Sequence, residues 1–326
     1  MIPVRVVRAL CLGVTLALAL IGCGDEPPKP PPGPLAAALG EISGGSEHGS
    51  LGVGWTDPRL AREGAIGPRL MAAALGPNAD SLIDAAPELR RRFGLDPLSA
   101  SRLVSVGGSY AFGLRLEGVD GGGLRDALIR VGGKVRESGE VELEDVGDYA
   151  VVPQPLLRSG VFGLGARDAF GPSLTVLAIS ETSRDRLLGR GDRLIDQPIY
   201  RAAADCLGDV VAVRMIPDKL LLSTEVGVDL VAVGIGRERE VLCALGGTAD
   251  RARAIASELR ASLAPDAREP RTGQPISDLV RLVGARTSSY EDVEVARAEL
   301  SAAPGARRGF LFGAIARGSL VQLMGG

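Results

Sequence analysis

The chain has 326 residues, of which 45% are hydrophobic and 24% are charged, and its formal net charge is −3. A mildly acidic chain without a basic cluster does not favour nucleic-acid binding. Aromatic residues make up only 3% of the sequence, which also disfavours the aromatic platforms that carbohydrate-binding sites use.

Residues 1–22 have the features of a bacterial lipoprotein signal peptide. Arg5 and Arg8 provide a positive start, and an apolar stretch from Ala9 to Gly22 follows them. This stretch is too short to span a bilayer but suits a cleaved export signal. Leu20-Ile21-Gly22-Cys23 then fits the lipobox, in which Cys23 receives a diacylglycerol before cleavage. The alternatives are an ordinary secretory signal with a coincidental cysteine, or a retained transmembrane helix.

Residues 23–49 are predicted to form a tether between the lipid on Cys23 and the folded body. The proline-rich run from Pro27 to Pro34 favours polyproline II, which extends about 3.1 Å per residue and makes a stiff spacer. The stretch from Gly40 to Ser50 is expected to continue as flexible linker. A proline-rich recognition ligand is the functional alternative.

The body, residues 50–326, is predicted to be α+β, with antiparallel sheets and helices packed on one face. Gly94 directly follows Phe93, the last apolar residue of a predicted helix, at the position where glycine commonly ends a helix. The first half is expected to contain a strand at Gly49–Trp55, a helix with Leu82, Ala86, Leu89 and Phe93 on one face, strands within Ser105–Glu117, a short helix after Asp120, strands at Gly139–Glu144 and Leu174–Ile179, and a helix near Ser183–Leu188.

The second half repeats this outline. Both Phe112–Glu144 and Val241–Ala298 contain a strand pair, a glycine-opened helix and a further strand, which predicts an ancient duplication with halves 50–203 and 204–326. Thr248 is the expected N-cap of the helix that follows Gly246-Gly247. The other expected elements are strands at Asp209–Met215, Val226–Ile235, Glu240–Leu245 and Tyr290–Leu300, and a helix from Phe310 to Met324.

No familiar catalytic motif is present in the sequence. His48 is the only histidine and lies in the linker, which argues against Ser-His-Asp, Cys-His and histidine-zinc chemistry. Gly132-Gly133-Lys134-Val135 lacks the Ser or Thr of a Walker loop, and Gly234-Ile235-Gly236 lacks the third glycine of a dinucleotide loop. We therefore predict that the protein is not an enzyme and has no cofactor.

Three carboxylates alternate along one predicted strand, and they permit two interpretations. Glu140, Glu142 and Glu144 would lie on one side of the strand, where oxygen ligands suit calcium. The same pattern also makes a solvated strand face that keeps an edge from pairing, and we prefer this interpretation. No metal site is therefore predicted.

The cysteines agree with export. Cys11 leaves with the signal peptide and Cys23 is lipidated, so Cys206 and Cys243 remain in the body. An even pair in an oxidising compartment is most simply a disulfide. Two free thiols are the alternative, whereas a reactive pair would need a Cys-x-x-Cys spacing that is absent.

Three short segments of the body invite comparison with other exported proteins. They are Cys206-Leu207-Gly208-Asp209-Val210-Val211-Ala212, Val241-Leu242-Cys243-Ala244-Leu245 and Phe93-Gly94-Leu95-Asp96-Pro97. Together with the lipobox, they resemble uncharacterised exported lipoproteins of high-GC bacteria. The resemblance implies paired body cysteines and a lipid-held position outside the cytoplasm. It brings no established activity, so no catalytic residue is carried over.

Three functional hypotheses follow from these observations. The first is a non-enzymatic lipoprotein, held on the cell membrane by the lipid on Cys23 and facing outside the cytoplasm. Its body would bind an envelope protein or support the cell envelope. The second is a solute- or lipid-binding lipoprotein with an apolar pocket for a small ligand. The third is a hydrolase that uses carboxylates alone, which would need two acids facing one cleft.

Overall fold

The structure is a computed structural model, and part of the chain lies outside what it describes. The predicted signal peptide, Cys23 and the proline-rich run up to Pro32 fall outside the described residues. Among the described residues, no helix is both long enough and apolar enough to cross a membrane. The described residues are 33–44, 51–63, 66–76, 83, 86–107, 112–130, 132–135, 141–142, 163–164, 174–178, 181–221 and 226–326.

The described residues form strands and helices in alternating groups. The strands are β1 (Gly52–Thr56), β2 (Arg102–Gly107), β3 (Phe112–Glu117), β4 (Lys134–Val135), β5 (Val141–Glu142), β6 (Gly163–Leu164), β7 (Leu174–Ala178), β8 (Ala212–Pro217), β9 (Leu230–Ile235), β10 (Glu240–Leu245), β11 (Val280–Tyr290) and β12 (Val293–Ala302). The helices are α1 (Pro34–Gly40), α2 (Pro58–Glu63), α3 (Pro68–Leu75), α4 (Ala86–Phe93), α5 (Gly122–Arg130), α6 (Glu181–Leu187), α7 (Pro198–Leu207), α8 (Ala249–Ser262), α9 (Ile276–Leu279), α10 (Phe310–Arg317) and α11 (Leu320–Leu323).

One large antiparallel sheet organises the described part of the chain. Its ten strands lie in the order β11-β12-β10-β9-β8-β1-β2-β3-β7-β6, and β4 pairs separately with β5. Neighbouring strands are antiparallel throughout the sheet. The predicted α+β class with antiparallel pairing is therefore confirmed.

Helices cover both faces of the sheet, which corrects the expectation that they pack on one face. In β10, Leu242 and Ala244 belong to the core that includes α8, α10 and α11. Cys243 and Leu245 alternate with them and belong to the core that includes α1 and α7. Successive side chains of a strand point to opposite faces, so a strand that is apolar at every position needs a cover on each side.

The strand order is symmetric about the central pair of β1 and β8. Reading outward, β1-β2-β3-β7-β6 corresponds to β8-β9-β10-β12-β11. A helix precedes each series (α1 and α7), and another helix follows its third strand (α5 and α8). This matching order is consistent with the predicted duplication, which stays a prediction. The predicted boundary between residues 203 and 204 falls inside α7, so the second series begins earlier, at Pro198.

The compact body begins at Gly33, earlier than the predicted boundary at residue 50. Residues 34–40 form α1, and Leu35, Leu39 and Ile42 are buried in the core beside α7. Pro34 takes the first helical position, where its missing N–H costs no hydrogen bond. The last proline of the run therefore starts a helix, and residues 33–44 do not belong to the tether.

Two local predictions at the helix ends are resolved by the structure. The Thr248 Oγ1 atom accepts a hydrogen bond from the backbone N–H of Arg251, which confirms Thr248 as the N-cap of α8. The single helix predicted from Phe310 to Met324 is instead divided into α10 and α11. Gly318 divides them, because its φ of 68° is left-handed and ends α10.

Candidate functional site

The two body cysteines are joined in a buried disulfide, as predicted. Cys206 lies near the end of α7 and Cys243 lies in β10, and their sulfur atoms are 2.07 Å apart. Both residues are buried. The bond therefore ties a helix to the sheet that it covers. Cys23, the predicted lipid attachment site, lies outside the described residues.

The glycine motifs have structural roles. Gly234 and Gly236 lie at the end of β9, where the Gly236 N–H donates to the Arg239 carbonyl in the turn that leads to β10. Lys134 lies in the short strand β4, opposite Glu142. Of the three alternating glutamates, Glu140 and Glu144 fall outside the described residues. Within the described ranges, no three His, Cys, Asp or Glu residues are grouped closely enough to hold a metal ion.

The second series of strands is β8-β9-β10-β12-β11, and four of these strands have one terminus at the same level of the sheet. Pro217 of β8 pairs with Leu230 of β9, which pairs with Leu245 of β10, which in turn pairs with Val295 of β12. Because these strands are antiparallel, residues that follow β8 and β10 meet residues that precede β9 and β12. Positions far apart in the sequence are thereby brought to one place.

A cavity of about 450 Å³ lies at this end of the sheet, within the size range of small-ligand sites. We call it the acidic cavity. Its lining includes three carboxylates, one amide, one lysine and one turn glycine, which are Asp218, Asp229, Asp292, Gln197, Lys219 and Gly246.

Two hydrogen-bond acceptors of the acidic cavity are buried without a donor. In the described part of the chain, Asp218 Oδ1 and Gln197 Oε1 are the buried side-chain oxygens that accept no hydrogen bond. Gln197 is only 6% exposed. An unsatisfied buried polar group costs about 1–3 kcal/mol, so a group that donates hydrogen bonds here would recover that free energy.

Among the described residues, the cavity carboxylates also lack a cationic partner. No arginine or lysine of the described residues pairs with Asp218, Asp229 or Asp292. The Asp229 carboxylate lies directly against Gly246, where a Cβ atom would overlap it. Gly246 also has a φ of 89°, so glycine suits this turn for two independent reasons.

Asp292 is held by a turn of unfavourable conformation. Glu291 and Asp292 connect β11 to β12 with φ values of 45° and 66°, a left-handed conformation that asparagine and glycine usually occupy. Glu291 is fixed by Arg201, whose guanidinium donates to both carboxylate oxygens at 2.7 and 2.8 Å. The turn therefore holds Asp292 at the cavity although its residue types do not favour that backbone.

A second concave surface lies beside the acidic cavity and is mainly hydrophobic. It has a volume of about 360 Å³ and is lined mainly by Ile216, Leu220, Leu221, Ile315, Leu320 and Val321. We call it the apolar groove. The short 3₁₀ turn Asp218–Leu220 contributes Leu220 to the groove, while Asp218 and Lys219 line the acidic cavity.

Two buried carboxylates of the described residues, Glu240 and Glu269, accept several hydrogen bonds each, in contrast to Asp218 Oδ1. Glu240 accepts hydrogen bonds from the backbone N–H groups of Gly309, Phe310 and Leu311 at 2.6–3.0 Å, so it neutralises the start of α10. Burial alone would raise the pKa of Glu269. Hydrogen bonds from the Ser319 hydroxyl, the Thr272 backbone and the Arg317 guanidinium outweigh burial and lower its pKa to about 2.

A deeply placed arginine has a structural partner. Arg214 of β8 donates a 2.9 Å hydrogen bond to the carbonyl of Leu75, the last residue of α3. Ser105 donates to the same carbonyl. Burial lowers the pKa of Arg214 to about 10. A cation at a helix C-terminus is favourable, so Arg214 fixes α3 on the sheet.

No local sequence pattern predicted the residues of the acidic cavity. Asp218 and Asp229 lie at the two ends of the loop that joins β8 to β9, and Asp292 lies about sixty positions later, so no local motif joins all three. The available signal was an acid directly after β8, directly before β9 and directly before β12, whereas Gly246 follows β10. That signal gains meaning only when the strand order is known. Comparison with family models, curated proteins and solved structures gives no match for this chain.

Proposed function

We propose that the protein is a lipid-anchored extracytoplasmic lipoprotein that acts without catalysis, by binding a protein partner. Its anchor would be a diacylglycerol on Cys23, and the segment up to Pro32 would separate the body from the membrane. The buried disulfide between Cys206 and Cys243 carries the proposal for location. Structural disulfides persist mainly in oxidising compartments outside the cytoplasm.

The acidic cavity supports binding better than catalysis. General acid–base chemistry needs carboxylates that neighbouring groups orient and tune. In the described residues, however, no side chain pairs with the three cavity carboxylates. The cavity does provide several acids facing one space, which is the condition that the hydrolase hypothesis set. The buried oxygens of Gln197 and Asp218 have no hydrogen-bond donor, which favours a site where a bound partner supplies the donors.

The anchor is tested by the intact mass of the full chain purified from membranes of its own host. We expect a mature chain that starts at Cys23 and carries acyl mass. Cys23→Ser should abolish the lipid, whereas Cys11→Ser, within the predicted signal, should leave it unchanged. A native chain that retains its initiator methionine without added mass would contradict the anchor.

The partner is tested by cross-linking on intact cells, followed by identification of covalent products. We expect one protein to be recovered reproducibly with the native chain, and recovery to fall when Asp218 and Asp229 are both replaced by Asn. Asp266→Asn, an exposed change in the loop after α8, is the matched control. Repeated recovery of no protein would contradict binding to a protein partner.

The apolar groove favours a second candidate function, the binding of an apolar solute. Its six aliphatic side chains surround about 360 Å³, enough for a small ligand. Native mass spectrometry of the chain purified from its own host should then show a small-molecule adduct. Val321→Lys at the groove should remove the adduct, while Val135→Lys, at an exposed residue of β4, should not. A bare chain in repeated preparations would contradict this function.

A further inference from the structure

We propose that the acidic cavity is a binding site for an organic cation, a primary ammonium or guanidinium group. Its carboxylates Asp218 and Asp229 and its amide Gln197 would accept the N–H bonds of that group. The inference goes beyond the proposed function, because it concerns the ligand class of one site and does not depend on the lipid anchor.

Two buried acceptors of the acidic cavity are left without a hydrogen-bond donor. Among the buried side-chain oxygens of the described residues, the two without a donor belong to Asp218 and Gln197, and both residues line the acidic cavity. Gln197 is 94% buried, since 6% of it is exposed. The two residues come from different parts of the chain, so their meeting at one cavity is a property of the fold.

The charge of the lining selects a cation. Three carboxylates and one lysine line the acidic cavity, and Asp218, Asp229 and Asp292 pair with no cation in the described part of the chain. A neutral donor could satisfy the oxygens but would leave this excess negative charge in place. A positively charged donor does both, and charge-assisted hydrogen bonds are the stronger kind.

The spacing of the acceptors favours an organic cation over a metal ion. A bound calcium ion needs six to eight oxygen ligands at 2.3–2.6 Å, gathered around one point. The described residues contain no such grouping of three carboxylates. Ammonium and guanidinium groups carry several N–H donors that point in different directions, so they match oxygens distributed around a wall.

The experiment is a calorimetric titration of the full chain in a non-ionic detergent. The probes are spermidine, a free amine, and an N-acetylated tri-arginine amide, which presents the side chains of a protein partner. We expect one site per chain, with Asp218→Asn and Asp229→Asn each weakening binding about tenfold. Asp266→Asn removes the same charge at the far end of α8, about 20 Å away, and should leave affinity unchanged within twofold.

Lys219→Gln is the variant expected to gain affinity. Among the described residues that line the cavity, Lys219 is the one with a positive charge, and its side chain is exposed. Its removal takes away repulsion of a bound cation, so it should tighten probe binding two- to fivefold without affecting folding. The two probes distinguish the source of the cation. If spermidine binds more tightly than tri-arginine, a free amine is assigned as the ligand. If tri-arginine binds more tightly than spermidine, the side chains of a protein partner are assigned.

Several outcomes would overturn the inference. They are no binding of either probe, an equal loss in Asp218→Asn and Asp266→Asn, a loss of affinity in Lys219→Gln, or stoichiometric displacement of spermidine by calcium. Thermal unfolding of each variant separates loss of the site from loss of the fold. If the Asp218→Asn variant does not fold, the probe affinities of the Asp229→Asn and Lys219→Gln variants test the proposal.

Discussion

Removing the disulfide should destabilise the body by an amount that follows from its position in the chain. The cysteines are 37 residues apart. A cross-link over such a loop lowers the entropy of the unfolded chain by about 13 cal/mol/K, which corresponds to about 4 kcal/mol at 25 °C. For a compact unit of residues 33–326, unfolding entropy is roughly 600 cal/mol/K, so Tm should fall by about 6 °C.

The assay compares urea unfolding of the oxidised chain, the reduced chain and the Cys206→Ala/Cys243→Ala variant. The reduced chain keeps both sulfur atoms, so it reports the loss of the cross-link alone. The double variant should lose somewhat more, because it also leaves a void at two fully buried positions. The m-value should rise in both, since the unfolded chain expands. A loss below about 1 kcal/mol in the reduced chain would refute the reasoning.

Three further changes test interactions of the described residues. Glu240→Gln should destabilise by about 2–3 kcal/mol in urea unfolding, because it removes the charge that faces the three N–H groups at the start of α10. Its exposed neighbour Glu238 provides the control, Glu238→Gln. The pKa of Glu269 lies at about 2 in the folded chain, below its ordinary 4.5, so its stabilisation is present above pH 4.5 and is lost as pH falls towards 2. Urea unfolding across this range should show a steeper loss in the native chain than in Glu269→Gln. Gly54→Ala should lower Tm, because its Cβ would come within 2.5 Å of the backbone of α3, while Gly284→Ala meets nothing within 4 Å.

Each of these three has a clear contrary result. Equal stability of the Glu240→Gln and Glu238→Gln variants would contradict the role of Glu240 at α10. Parallel pH profiles of the native chain and Glu269→Gln would show that Glu269 does not carry acid sensitivity. An unchanged Tm for Gly54→Ala would mean that α3 does not press on β1 as closely as the structure shows.

Local patterns in the sequence were sufficient for the elements that depend on neighbouring residues. Runs rich in Val and Leu marked β9 and β10, the glycines and Thr248 marked the start of α8, and the even cysteine count predicted the Cys206–Cys243 bond. The signals at Pro34 were contradictory, because a proline run favours polyproline II while proline at a first helical position favours a helix. The burial of Leu35 and Leu39 settled this conflict, and burial is not a local property.

The sequence by itself determined the α+β class, the antiparallel pairing and the disulfide, because apolar runs, the order of predicted hairpins and helices, glycine punctuation and a cysteine count depend only on residues and their order. Only the tertiary structure decided that helices cover both faces of the sheet, and that Gln197, Asp218, Asp229 and Asp292 share one cavity. Strand order sets which strand ends become neighbours, and it depends on the packing of the whole sheet. The acidic cavity is therefore a consequence of that order.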